Sequence, residues 1–145
     1  AIVILVSALL IGLFCYQDIK ERRVKELALA HMGAGIKLYE EKKFDAAEGA
    51  LKQAIEKDPS LWEAHFYLGT ICFEHSEWGK AKSEFEKTVE LNPNISEAYT
   101  ALGILAFRDK NYDDSINYFK KSLKLNPEDE NVKGFLESVE KVKKE

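Results

Sequence analysis

The chain has 145 residues, of which 46% are hydrophobic and 32% charged, with a formal net charge of −4. This composition excludes a disordered chain and fits a single domain. Two cysteines are too few for the disulfide framework of a small secreted protein. A negative net charge without a lysine- or arginine-rich run argues against nucleic acid as a partner.

The N-terminal segment, residues 1–27, begins with sixteen residues that carry no charge. As a helix, such a stretch spans about 24 Å, less than the roughly 30 Å of a bilayer's hydrocarbon core. Because no proline occurs between Ile2 and Glu41, the sequence predicts one long helix that runs on into the next element. The side chains predicted to contact protein or lipid are Ile2, Ile4, Leu5, Leu9, Leu10, Leu13 and Phe14.

Four interpretations of this segment compete. A secretory signal needs a basic start, and a lipoprotein signal needs a small residue before Cys15, where Phe14 stands, so neither is favoured. A single membrane span is the usual interpretation of such a stretch, but acidic residues interleave the basic ones that follow it. The fourth is an assembly helix that packs against other copies of the chain or against a partner protein. The apolar run followed by Tyr16-Gln17-Asp18 also resembles the N-terminal helix of type IV pilins.

The next part of the chain repeats with a period of 34 residues. Proline occurs at 59, 93 and 127, glycine at 35, 69 and 103, and a large aromatic residue at 44, 78 and 112. Within each period, apolar residues recur at helical spacing in two blocks, which predicts two helices joined by a tight turn. The glycines lie inside the first helices, where the close approach of a neighbouring helix is expected, and Ala47, Ala81 and Ser115 are predicted to allow the same packing.

Helix starts are predicted from capping pairs, in which a side-chain oxygen stands three residues before a carboxylate. The pairs are Ser60 with Glu63, Asn94 with Glu97, and Asp45 with Glu48.

These features resemble the tetratricopeptide repeat family. The resemblance rests on the Leu-Gly pairs at 68–69 and 102–103, the small residues Ala47, Ala81 and Ser115, the pair Phe85 and Phe119, and the three prolines. It implies an all-α solenoid of antiparallel helix pairs, with repeats at 28–61, 62–95 and 96–129 and a capping helix at 130–145. The apolar stripe of that last helix consists of Val132, Phe135, Leu136, Val139 and Val142. At the position where the family has a large aromatic residue near the start of each repeat, this sequence has His31, His65 and Tyr99.

In this family the first helix of each repeat lines a groove that binds partner proteins. The resemblance implies that the groove is lined by Met32, Ile36, Tyr39, Phe66, Thr70, Phe73, Thr100, Ile104 and Phe107. Some members hold a partner's terminal carboxylate with lysine, asparagine and arginine. The corresponding residues here are Met32, Ile36, Tyr67, Glu97 and Ala101, so that activity is not implied. A mostly apolar groove suits an apolar or amphipathic helix, and the N-terminal segment of a second copy is such a helix.

The sequence contains no recognisable catalytic, cofactor-binding or metal-binding constellation. His31 and His65 are one repeat apart, so they lie on neighbouring helices, too far from each other to share a metal ion. Cys72 is predicted to be a small core residue, and His75 to lie in a solvated turn. For the thiol of Cys15, an intersubunit disulfide or acylation remains an alternative.

We therefore predict a non-enzymatic scaffold subunit that its N-terminal helix holds in an ordered assembly, most simply a homopolymeric filament or tube. The alternative is an adaptor anchored by a single membrane span. The expected partners are other copies of the chain or a protein that binds as a helix, with a lipid bilayer in the alternative case. The expected location is the cell envelope, as an extracellular filament or attached to a membrane.

Overall fold

The computed structural model describes the backbone of residues 2–145 and the side chains of residues 6, 7 and 9–145. Secondary structure in this described part is entirely α-helical. The helices are α1 (Ile2–Glu40), α2 (Phe44–Lys57), α3 (Trp62–Glu74), α4 (Trp78–Leu91), α5 (Ser96–Arg108), α6 (Tyr112–Leu125) and α7 (Glu130–Lys144). The long first helix agrees with the prediction of an uninterrupted helix from Ile2.

The helices pack as successive pairs along one axis. α1 packs on α2, α3 on α4 and α5 on α6, and each pair also contacts the next one along the chain. α7 packs on α6 at the end of the stack. The predicted all-α solenoid is therefore confirmed.

Each pair closes through the same turn. Lys42, Ser76 and Lys110 stand 34 residues apart and have positive φ angles of 59°, 60° and 59°. In the second pair the N–H of Glu77 donates to the carbonyl of Cys72 at 2.8 Å, a bond that closes the end of the helix. This left-handed conformation is unfavourable for residues other than glycine, so the backbone of each turn is strained.

The glycines inside the first helices lie against large side chains of the second helices. A methyl group on Gly35 would come within 2.7 Å of Leu51 Cγ, and one on Gly69 within 3.1 Å of the Phe85 ring. Ala47, Ala81 and Ser115 are fully buried. The prediction that small residues allow close helix packing is confirmed.

The predicted capping pairs are wrong. α3 begins after Leu61 and α5 after Ile95, and in the described structure neither Ser60 nor Asn94 caps a helix. The N–H groups of Ser60 and Asn94 instead donate to the side chains of Asp58 (3.0 Å) and Asn92 (3.1 Å), which moves the start of each helix towards the C-terminus. Asp45 lies inside the first turn of α2 rather than before it.

Side-chain caps occur at the last two helices. Asn111 caps α6, and Asp129 caps α7 by accepting from the N–H groups of Asn131 and Val132, each at 3.1 Å. In α7, Val132 and Val139 are buried and Leu136 is half-buried, whereas Phe135 and Val142 remain exposed.

The N-terminal part of α1 extends beyond the helix pairs. Every described side chain from Val6 to Leu27 is exposed, and Ala28 is the first buried residue of the helix. The large apolar side chains in this stretch are between 40% and 76% exposed, with Leu9 at 66%, Leu13 at 53% and Phe14 at 76%. We call residues 2–27 the N-terminal extension; the predicted contacts of Ile2, Ile4 and Leu5 lie outside the described side chains. A search of the described residues finds no helix with an apolar stretch long enough to cross a membrane.

Candidate functional site: an apolar groove along the repeats

Two adjoining pockets lie along α3, α5 and α7. The first, the α3–α5 pocket, has a volume of about 180 Å³. It is lined by Phe66, Thr70, Phe73, Phe85, Glu97, Thr100, Ala101 and Ile104. Five of the nine residues predicted to line a groove therefore meet in this pocket.

The second, the α5–α7 pocket, has a volume of about 200 Å³. It is lined by Ile104, Phe107, Phe119, Phe135, Ser138 and Val139. Ile104 lines both pockets, so they adjoin at this side chain, and we call the two together the groove. Phe107, 39% exposed, contributes an accessible ring to it.

The remaining predicted groove residues, Met32, Ile36 and Tyr39, lie on α1 and are half-buried. The Tyr39 ring packs against Tyr67 with centroids 5.3 Å apart and against Phe44 at 5.6 Å. Burial raises the pKa of the Tyr39 hydroxyl, with a smaller contribution from the Glu74 carboxylate. Packed aromatic rings thus occupy the α1 end of the predicted groove surface, whereas the part of that surface formed by α3, α5 and α7 has open pockets.

The hydroxyls of the threonines in the groove are already bonded within the protein. The Thr70 hydroxyl donates to the Phe66 carbonyl at 2.9 Å. The Thr100 hydroxyl lies 3.2 Å from the Ser96 carbonyl and 2.8 Å from Ser122 Oγ. Glu97, exposed at the edge of the α3–α5 pocket, provides a negative charge there. The groove is therefore suited to an apolar ligand rather than to a carboxylate.

The histidines have different environments. His65 is 6% exposed, with Nδ1 2.7 Å from Glu84 Oε2 and Nε2 3.1 Å from the Pro59 carbonyl. Both partner atoms are acceptors, so a ring nitrogen that carries a hydrogen donates to the oxygen that it faces. His31 is half-buried, and His75 is exposed, with its ring 6.1 Å from that of Phe44. Among the described residues, no cluster of three or more potential metal ligands occurs.

Cys72 is buried in α3, and Cys15 is exposed on the N-terminal extension. Burial raises the pKa of the Cys72 thiol, and the Glu77, Glu48 and Glu84 carboxylates raise it further. A thiol held protonated in this way is a poor nucleophile, which agrees with its prediction as a core residue.

Sequence reasoning missed several residues that form the pockets. Ala101, Phe135, Ser138 and Val139 were not predicted to line the groove, and Phe85 and Phe119 were identified only through the family resemblance. The signal that could have revealed the α3–α5 pocket is Ala101, which replaces the Tyr67 found one repeat earlier.

Family comparisons now identify the class of protein. Two profiles described as tetratricopeptide repeat match the chain, one over residues 38–105 and the other over residues 96–129. Together they span more than half of the sequence. The chain belongs to the tetratricopeptide repeat family. A search of curated proteins gives no significant match.

Solved structures share the fold at low sequence identity. The first tetratricopeptide repeat domain of Spaghetti (RPAP3), bound to the HSP90 peptide SRMEEVD, is 19% identical with a TM-score of 0.77, covering 83% of this chain and 96% of its own. The Arabidopsis OM64 tetratricopeptide repeat domain is 17% identical with a TM-score of 0.74, covering 81% and 98%. MamA is 20% identical with a TM-score of 0.75, covering 80% of this chain and 68% of its own. These likenesses establish the fold.

Proposed function

We propose that this protein is a non-catalytic scaffold whose groove binds an apolar helix of a protein partner. The observation that carries the proposal is the groove itself, in which open apolar pockets lie side by side on helices of successive repeats. Burying an apolar side chain in such a pocket contributes about 25 cal/mol per Å². The Spaghetti domain has a bound HSP90 peptide, which supports protein binding by this fold in general. The identity of that peptide does not transfer, because Glu97 at the edge of the groove opposes an acidic ligand.

We further propose that the N-terminal extension holds the protein in an ordered assembly, most simply a homopolymeric filament or tube. Large apolar side chains exposed on a helix that stands clear of the body are unfavourable in water unless another surface covers them. Leu9, Leu10, Ile11, Leu13 and Phe14 cover more than half of the circumference of this helix. The cell-envelope location expected from the sequence goes with this proposal and stays a prediction.

The test is a double substitution, Leu9→Lys with Leu13→Lys, in the full chain without detergent. Because these side chains are exposed and apart from the helix pairs, helical content and thermal unfolding of the repeats should change little. Sedimentation velocity and negative-stain microscopy should show assemblies for the wild type and monomers for the variant. The matched control, Gln53→Lys with Asn117→Lys, adds the same charge at exposed polar positions outside the extension and should assemble normally.

A wild-type protein that stays monomeric, or a double-lysine variant that assembles like the wild type, would contradict the assembly proposal. The membrane-anchored adaptor predicts a different result, since the wild type would then float with lipid vesicles and form no assemblies without them.

A further inference from the structure

The two pockets of the groove are formed by equivalent positions of successive repeats. Thr70, Phe73, Phe85, Ala101 and Ile104 of the first recur 34 residues later as Ile104, Phe107, Phe119, Phe135 and Ser138 of the second. A ligand that crosses the repeats therefore meets the same type of pocket twice.

The equivalent position between the first two repeats is occupied. Tyr67 stands there in place of Ala101, and its ring packs against those of Tyr39 (5.3 Å) and Phe66 (5.7 Å). In the α3–α5 pocket the small side chain of Ala101 stands at this position, and no ring occupies it. The groove thus offers two apolar pockets, followed towards α1 by a closed, aromatic surface.

The spacing of the pockets defines the spacing of the ligand's side chains. Packed helices lie about 8–10 Å apart, so pockets displaced by one repeat are separated by roughly that distance. On an α-helix, side chains seven residues apart share one face and are separated by about 10.5 Å. A helical ligand would therefore place two large apolar side chains, seven residues apart, into the two pockets.

We propose that the occupant of this groove is the N-terminal extension of a second copy, with Val6 in the α5–α7 pocket and Leu13 in the α3–α5 pocket. Both side chains are exposed, 53% in each case, and they stand seven residues apart. The extension carries no charge before Asp18, which suits the apolar lining. This inference rests on the assembly proposed above and names the surface that receives the extension.

Charge complementarity favours this orientation. Lys20 follows Leu13 by another seven residues, so it would lie one repeat further along, beside the first turn of α3. Glu63 stands in that turn, at the position that Glu97 occupies in α5 one repeat later. A lysine of the bound extension therefore meets the carboxylate at the end of the groove where the pockets stop.

The extension cannot occupy the groove of its own chain. α1 is one continuous helix from Ile2 to Glu40, and its first buried residue is Ala28. Leu13 lies fifteen residues before Ala28, or about 22 Å along the helix axis, away from the body. A second chain must therefore supply the extension. A contact between different surfaces of identical chains is head-to-tail, and it propagates into a filament or a ring.

The test is complementation between two full-length variants. Ala101→Tyr copies the residue of the preceding repeat and should fill the α3–α5 pocket with its ring, leaving the extension intact. Leu9→Lys with Leu13→Lys disables the extension and leaves the groove intact. Each variant alone should sediment as a monomer, with self-association weakened about 10- to 100-fold, the loss expected for one large apolar side chain. Mixed in equal amounts, they should form a 1:1 heterodimer that grows no further.

Controls separate a closed pocket from a misfolded body. Ala46→Tyr adds the same ring at an exposed position of α2 and should assemble like the wild type. If Ala101→Tyr unfolds at a lower temperature than this control, Phe107→Lys replaces it, since it places a charge in the α5–α7 pocket at a partly exposed position.

If groove-closed variants assemble like the wild type while the double-lysine variant does not, the extension acts elsewhere and only this inference fails. The inference also fails if both variants are monomeric alone and remain monomeric when mixed. If the double-lysine variant assembles, the assembly role proposed for the extension fails as well.

Discussion

Phe119 lies directly against Gly103, so that a methyl group on Gly103 would come within 2.6 Å of Phe119 Cε1. The Ser115 hydroxyl donates to the Gly103 carbonyl at 2.8 Å on the same face of the helix. These contacts fix how closely α5 approaches α6. They also position Phe119, which lines the α5–α7 pocket.

We expect Gly103→Ala to destabilise the protein by about 1–3 kcal/mol, because the buried Phe119 ring must shift to admit the methyl group. Gly134→Ala is the matched control, since a Cβ there meets no described atom within 4 Å. The control should stabilise α7 by up to about 1 kcal/mol through helix propensity. Urea denaturation of both variants measures the two effects, and changes of the same sign would contradict the packing argument.

Ser76 in the turn between α3 and α4 offers a test of backbone strain. Its φ of 60° is a conformation that glycine adopts without cost. Ser76→Gly should therefore stabilise the protein by up to about 1 kcal/mol. Ser83→Gly makes the same change at an exposed position inside α4 and should destabilise by about 0.5–1 kcal/mol. Thermal unfolding of the pair checks the sign, and a destabilised Ser76 variant would refute the strain.

The two hydrogen bonds of His65 should contribute measurably to stability. His65→Phe keeps the ring but leaves the Glu84 carboxylate and the Pro59 carbonyl without this partner, at a cost of about 1–3 kcal/mol. His31→Phe makes the same change one repeat earlier, at a half-buried position, and should alter stability by less than about 0.5 kcal/mol. Equal losses in chemical denaturation would show that ring shape, not hydrogen bonding, matters at His65.

The buried thiol of Cys72 predicts a pH dependence. Its pKa in the folded protein is raised above the ordinary value of 9.0, so the unfolded chain loses this proton at lower pH than the folded one does. The thiol's contribution to the free energy of unfolding is therefore complete below pH 9.0 and is lost as the pH rises through the folded pKa.

Cys72→Ala removes this group while retaining Tyr39 and Tyr118, whose pKa values are also raised by burial. The difference in unfolding free energy between the wild type and Cys72→Ala should shrink as the pH rises above 9.0 towards the raised pKa of the folded thiol. A difference that stays constant over this range would show that the thiol ionises as easily in the folded protein as in the unfolded one.

Local patterns in the sequence were sufficient to predict the helices and which of them form pairs. The 34-residue spacing of Gly35, Gly69 and Gly103 predicted where second helices approach first ones, and the lack of proline before Pro59 predicted the long α1. The helix starts were predicted wrongly at Ser60 and Asn94. There, the N–H groups of Ser60 and Asn94 could bond to the carboxylates of the predicted capping pairs, but they donate to the side chains of Asp58 and Asn92 instead. The sequence pattern does not show which of the two bonds forms.

The sequence by itself determined the repeat, the helix pairs and the charge-free N-terminal segment, because each depends on spacing along the chain. Only the tertiary structure decided where the groove is open. The ring of Tyr67 packs against those of Tyr39 and Phe66, whereas Phe66 and Phe73 line an open pocket beside Ala101 one repeat later. Pockets depend on the packing of side chains from several helices at once, and the spacing along any one helix does not contain that information.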